Sequence, residues 1–425
     1  MIVTLALLMS AQPALADKYV FMGTGTIGPV SFGGGVYTPI DQYWLQRFHD
    51  TTLHSCGSGS YANDWSSEYN EDFNGTLFQD RVWPHALWYS DSLDMMFAAL
   101  IYSNTMTYAS LYAVPNPGSG TSVSGAIGSV GIYDSPTTLT SGSLPDREIF
   151  GTSSELDMPH SIAVDDVDDL LYVANTQNGS DDGSVLVWEN ASTVDGNVAP
   201  DFELALSMDH PVDVHYDSTT DTLSVVNFDP GTQPEVWIYE DVSSELLSSG
   251  SSTPNIRFTF ADVTSSDFIH ETWYWGDADQ LYFTTRERYL HRFDTSIYHG
   301  YPATGCNVLS SASCPTDPNG TNQCHWNLGI YFSYLSCTDF ETDAQVDLTN
   351  GAGGLGGYGM QVEESSNVIW AVVTDADTIG DERLLRYTNA STITSAATPN
   401  KTICWDESDN SGDFYITQAL WVVTD

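Results

Sequence analysis

Lysine is almost missing from this 425-residue chain. Lys18 and Lys401 are the two present, and Lys plus Arg number 11 against 57 Asp plus Glu, a formal charge of −46. So few cations exclude a nucleic-acid or anionic-membrane binder, which must neutralise phosphates with clustered positive charge. No apolar run approaches the roughly 18 residues a membrane-crossing helix needs, so membrane insertion is not expected. No C-x-x-C spacing occurs among the six cysteines, which disfavours a zinc knuckle or a dithiol redox site. The nucleophile-elbow G-x-S-x-G, the zinc-protease H-E-x-x-H and the phosphate-binding G-x-x-x-x-G-K are all missing. Helical 3.6-residue periodicity is absent as well.

What the chain does have is apolar and turn-forming residues. Hydrophobic residues make up 41% and aromatic ones 12%, too many for a disordered acidic chain, and 34 glycines with 18 prolines favour short strands and many turns. The start, Ile2 to Met9, is a short apolar run, and Ala14-Leu15-Ala16 follows as a small-x-small cleavage site. Residues 1–16 are therefore read as a secretory signal peptide and 17–425 as one domain, placing the protein outside the cell or on its surface. The cysteines fit an oxidising compartment. Cys306, Cys314, Cys324 and Cys337 crowd one stretch and allow three pairings, while Cys56 and Cys404 are left over and would fasten the closure if their units are neighbours. Sequons begin at Asn74, Asn178, Asn190, Asn319, Asn389 and Asn400, and these mark glycosylated surface loops if the source glycosylates and carry no information otherwise.

The informative feature is an internal repeat. Ile132-Tyr-Asp-Ser-Pro, Val187-Trp-Glu-Asn-Ala-Ser and Arg386-Tyr-Thr-Asn-Ala-Ser each lead to a proline (Pro145, Pro200, Pro399) 12 residues after the aromatic. The steps Tyr133 to Trp188, Trp188 to Tyr239 and Tyr239 to Phe293 are 55, 51 and 54 residues. A second element precedes each aromatic. Pro159-His-Ser-Ile-Ala-Val-Asp165 leads to Leu171-Tyr-Val-Ala-Asn175, and Pro211-Val-Asp-Val-His-Tyr-Asp217 leads to Leu223-Ser-Val-Val-Asn227. Related copies start at Pro84, Ile269 and Tyr358. Four short β-rich runs in about 50 residues make one antiparallel sheet that cannot bury both faces alone, so copies must stack radially into a β-propeller.

Five units are legible, at 84–151, 159–206, 211–260, 269–300 and 358–406. A sixth is expected from the ends, with Ala419–Asp425 as its second strand and Tyr43–Phe48 as its third, giving a six-bladed all-β propeller with a split closing blade. Insertions fall at 49–80, 100–129 and 301–356; the last holds four cysteines and reads as a disulfide-stapled loop, or else as a seventh blade.

The run P-x-x-I/V-A-V-D, then L-Y-V-A-N, then V-x-V-W/Y resembles the NHL-repeat propellers over about 84–294 and 357–406. Such a resemblance implies a fold rather than a function, because propellers host unrelated activities. Aligned repeats put His85, His160 and His270 at one position, at the start of the innermost strand, where Val212 and Tyr358 stand in other units. Three imidazoles from different blades would form a zinc site. The pattern is similar to the propeller lyase that cleaves peptidyl-α-hydroxyglycine, but the histidines fall on the second, third and fifth units rather than alternate ones, and that family's Tyr/Arg pair is not identifiable. The other reading makes each His an inherited repeat residue bonding a neighbouring backbone carbonyl.

Loops on the same face carry Asn175, Asn227, Arg286, Arg288 and Asp375, which with Tyr358 are the candidate ligand-binding residues. Their oxygen donors suit Ca²⁺ or a polar ligand. Asp375-x-Asp377-x-x-Gly380 begins like a calcium loop, but Ile379 at its fifth place and Arg386 at its twelfth exclude one. The aromatics Trp83, Trp88 and Trp273–Trp275 suit a sugar platform or, more economically, blade packing. The expected function is a secreted or cell-surface binding module whose partner is an extracellular protein, a glycan or a small ligand. The alternatives are an extracellular metal-dependent lyase or hydrolase and a structural component of a surface layer or filament.

Overall fold

The computed structural model describes residues 19–27, 42–49, 65–68, 82–102, 128–140, 143–176, 183–204, 208, 210–228, 233–243, 254–260, 263, 269–285, 288–296, 324–326, 335–340, 342–348, 355–374, 383–404 and 414–423. The proposed leader and the cysteines Cys56, Cys306 and Cys314 lie outside them, as does most of the 49–80 and 100–129 insertions.

Every described regular element longer than three residues is a strand. The chain opens with β1 (Tyr19–Ile27), β2 (Gln42–His49) and β3 (Trp65–Glu68). The first repeat supplies β4 (Val82–Ser90), β5 (Met95–Tyr102), β6 (Gly128–Asp134) and β7 (Arg147–Ile149). The second supplies β8 (Pro159–Asp165), β9 (Leu170–Asn175), β10 (Ser184–Glu189) and β11 (Phe202–Leu204). The third supplies β12 (Pro211–Asp217), β13 (Thr222–Asn227), β14 (Glu235–Tyr239) and β15 (Ile256–Phe260). The fourth begins with β16 (Ile269–Trp275), β17 (Gln280–Thr285) and β18 (Tyr289–Asp294). Then come β19 (Cys324–Trp326), β20 (Leu335–Phe340) and β21 (Ala344–Asp347). The fifth repeat gives β22 (Leu355–Glu363), β23 (Val368–Thr374), β24 (Arg383–Thr388) and β25 (Lys401–Cys404), and β26 (Phe414–Val423) follows.

Each repeat folds into a four-stranded antiparallel blade, ordered from inside out as β4-β5-β6-β7, β8-β9-β10-β11, β12-β13-β14-β15, β16-β17-β18-β21 and β22-β23-β24-β25. The hairpins between first and second strands turn the same way each time. Asp94, Asp169, Asp221, Asp279 and Asn367 close them with φ between 50° and 56°, a left-handed conformation that Asp and Asn tolerate. The protein is thus an all-β propeller.

The core lies between the blades. One apolar cluster joins Phe97, Val130 and Ile132 of the first blade to Ile162, Val173 and Trp188 of the second. Others join Tyr172 and Val187 to Val225 and Trp237, Val226 and Phe258 to Phe283 and Phe293, and Tyr282 and Leu290 to Ile369 and Tyr387. This is the burial a sandwich would not give, and it explains why the repeat period is that of a whole sheet.

Three expectations need correction. Contiguous repeats build five blades, not six or seven. The ends form a separate four-stranded sheet ordered β26-β1-β2-β3, in which β26 is the inner strand rather than the second, because β1 pairs with it along Tyr19–Ile27 and takes the second place. The 301–356 stretch makes neither a blade of its own nor a simple loop among the described residues. Its β19-β20 ribbon extends the third blade, with β20 parallel to β15, and its β21 completes the fourth. Innermost strands β4, β8, β12, β16 and β22 touch in sequence, and β26 touches both β22 and β4.

Candidate functional site at the channel mouth

Strand register defines the face. Pro159 pairs with Asn175, Pro211 with Asn227 and Ile269 with Thr285, so each innermost strand starts beside the loop that follows its second strand. His160, Asn175 and Asn227 therefore stand at the same end of their blades, where the innermost strands begin.

Two of the three aligned histidines, His85 and His160, act as ties between blades. His85 Nδ1 lies 2.7 Å from the carbonyl oxygen of His160, and His160 Nδ1 lies 2.8 Å from that of Val212, the equivalent residue one blade further on. A carbonyl only accepts, so each Nδ1 carries a hydrogen and donates it, and Nε2 of the neutral ring is the bare nitrogen. The two rings are 3.8 Å apart between centroids. Burial holds His85 well below the ordinary 6.5, and the nearby His160 and His270 push the same way. Burial brings His160 to about 4 against the opposing effect of its carbonyl bond. These are neutral, structural imidazoles. Among the described residues no group of three His, Cys, Asp or Glu side chains is placed to hold a metal ion, so the zinc and calcium expectations find no fitting donor set there.

Neighbouring innermost strands are not hydrogen-bonded as a ladder, and their buried amides need other partners. Side chains of β12 provide them. Asp213 Oδ2 accepts from the Thr272 amide at 2.6 Å and its hydroxyl at 2.7 Å, His215 Nδ1 accepts from the Tyr274 amide at 3.3 Å, and Asp217 Oδ2 accepts from the Gly276 amide at 2.6 Å. Ser161 donates to Asp213 Oδ1 at 2.6 Å from the opposite side, and Glu271 repeats the device by accepting from the Met360 amide. Alternate residues of one strand thus satisfy alternate amides of the next. Burial raises Asp213 to about 6 and holds Glu271 well above its ordinary value, with the Asp213 charge adding to the second effect. Burial also places His215 at about 4.

Aromatic rings fill the channel behind the mouth. Trp88 lies 4.7 Å from Trp421, 5.6 Å from His215 and 6.4 Å from Trp273, nearly parallel to the last. His215 and Trp273 are 4.2 Å apart, and Trp273 and Trp421 are 5.8 Å apart. The Trp273 indole N–H also donates to Glu364 Oε1 at 3.0 Å, and burial lifts that carboxyl to about 7. The plug escaped the sequence reading, although its signal was present. Trp88, His215 and Trp273 each stand three places after the aligned His85 position, where Ala163 and Gln361 stand in the other two units, and rings repeated at one place in several blades meet near the axis.

The remaining candidates divide. Asn175 and Asn227 are buried and play one shared structural role. Asn175 Oδ1 accepts from the amides of Asp157 at 2.9 Å and Met158 at 3.1 Å, its Nδ2 donates to Glu155 at 3.0 Å, and Asn227 Oδ1 accepts from His210 at 3.2 Å. They pin the crossover entering each innermost strand. Arg288 faces Asp347 at 3.7 Å and rests over the Tyr289 ring. Arg286, Asp375 and the Tyr358 side chain lie outside the described residues.

No known protein family matches the sequence, and no curated protein is similar to it. Solved structures are similar in shape. A chain of a nidogen/laminin complex aligns over 96% of this chain and 98% of its own, at 8% identity and a TM-score of 0.45. A chain of a mitotic checkpoint complex aligns over 90% and 82%, at 12% identity and a TM-score of 0.41. The Myceliophteria thermophila Cps50 (Swd1) β-propeller domain aligns over 75% and 86%, at 10% identity and a TM-score of 0.33. None of these carries a function to this chain.

Proposed function

We propose that this protein is a secreted or cell-surface binding module built from NHL-like repeats, with its partner site on the channel-mouth face. One observation carries the reading. The polar side chains best placed for chemistry at the mouth, His85 and His160 with Asn175 and Asn227, are occupied in holding blades and crossovers together, and rings close the channel behind them. What that face offers is a rim of strand ends joined by connections of unequal length, which is the layout of a recognition surface. The sheet β26-β1-β2-β3 lies between the fifth and first blades, with β26 touching β22 on one side and β4 on the other. Export is supported by the leader-like residues 1–16 and the cysteine content, and a charge of −46 favours a partner presenting cationic side chains.

The test is hydrogen exchange of the purified protein alone and with an extracellular protein extract from its source, alongside elemental analysis. Protection confined to the joins after β9, β13, β17 and β23 is the expected result. Protection only at the opposite hairpins would overturn the placement. A stoichiometric transition metal that disappears in His160→Ala would replace the binding reading with the metal-dependent lyase or hydrolase.

A further inference from the structure

Four cysteines fall within 301–356, and their sequence allows three pairings. Strand register selects among them. β19 and β20 are antiparallel with Cys324 directly opposite Cys337, His325 opposite Ser336 and Trp326 opposite Leu335. Opposed residues of an antiparallel pair have Cα atoms about 4.5 or 5.5 Å apart according to their place in the hydrogen-bond pattern. Both values fall within the roughly 4.4–6.8 Å that a disulfide spans. Opposed positions also share one face of a ladder.

We propose that Cys324 and Cys337 form a cross-strand disulfide that locks the β19-β20 ribbon. This leaves Cys306 and Cys314 as the remaining two of the cluster. The ribbon lies on the outer edge of the third blade, where Cys337 stands opposite Phe258 of β15. Parallel pairing is slightly less stable per residue than antiparallel pairing. A covalently closed ribbon keeps its register there and covers an edge that would otherwise present unpaired backbone groups. The bond forms by thiol–disulfide exchange. A thiolate of one cysteine attacks the disulfide of a small-molecule or protein oxidant, releasing one thiolate, and the second cysteine then displaces the other. Two protein thiols lose two protons and two electrons, and the oxidant's disulfide becomes two thiols.

The pairing follows from register and does not depend on where the protein resides, so it is tested on purified protein. The protein is equilibrated with glutathione disulfide, alkylated and digested with chymotrypsin, which cuts between the two cysteines at Trp326, Tyr331, Phe332 and Tyr334. The expected product is a peptide pair containing Cys324 and Cys337 that separates on reduction. In Cys337→Ser, Cys324 is recovered on a single peptide, alkylated or carrying glutathione, and joined to no other protein peptide. Cys324 joined to Cys306 or Cys314, or alkylation of both Cys324 and Cys337 in the oxidised wild-type protein, overturns the inference.

Discussion

Asp213 gives the sharpest test of the blade-tying scheme. Its carboxyl accepts from Ser161 on one oxygen and from both the amide and hydroxyl of Thr272 on the other, in a buried setting that raises it from 3.8 to about 6. That rise means about 3 kcal/mol of extra cost for the ionised form in the folded protein. The sign follows from the raised value. The folded state keeps a proton that the unfolded chain has lost, so the contribution is complete below 3.8 and disappears as pH rises through 6. Asp213→Asn removes the titration yet keeps an acceptor for Thr272, while its amide group donates to the Ser161 oxygen. Relative to wild type, Asp213→Asn should therefore gain about 1.5 kcal/mol between pH 4.8 and pH 7.5, the accessible part of that window. Asp213→Ala should lose about 1–3 kcal/mol near pH 7.5, because the Thr272 amide is left buried and unpaired. Urea midpoints followed by tryptophan fluorescence read both values, and repulsion among the other acidic groups cancels in the difference. A pH-independent gap between Asn and wild type, or one that shrinks as pH rises, refutes the argument.

His160→Ala orphans the Val212 carbonyl and should cost about 1–3 kcal/mol at neutral pH. His160 is lowered to about 4, so its contribution is present above 6.5 and lost as pH falls; the variant should show a shallower acid limb, and an identical limb counts against the tie. Trp88→Ala empties part of the channel plug and should lower stability by about 3–5 kcal/mol, measured as a urea midpoint; a loss under about 1 kcal/mol would mean the rings do not pack as a unit. Gly183→Ala would bring a Cβ to 2.4 Å from Pro211 Cδ and 2.7 Å from the Thr176 oxygen. The expected loss is about 1–3 kcal/mol, and an unchanged thermal midpoint would show that this approach of neighbouring blades is not close.

That last contact shows how far the repeat can be read without coordinates. Gly183 sits against Pro211, and Gly128 meets Pro159 in the same way one blade earlier. The prolines stood out in the sequence as the heads of their units. Their contacts with the glycines did not, because each contact joins two units. The same division runs through the candidate site. Aligning His85, His160 and His270 was a matter of counting residues. Whether their rings would converge on an ion or reach sideways to a carbonyl depended on the distance between blades.

The sequence by itself determined the strands of the five repeats, the hairpins closed by Asp or Asn, and the radial stacking of like sheets, because side-chain alternation and turn chemistry act over a few residues. Only the tertiary structure decided that β1 would stand between β26 and β2, that β20 would run beside β15, that Asn175 and Asn227 would face inward, and that four rings would fill the axis. Each of these depends on groups far apart in the chain meeting at a particular spacing, and local patterning carries no record of that spacing.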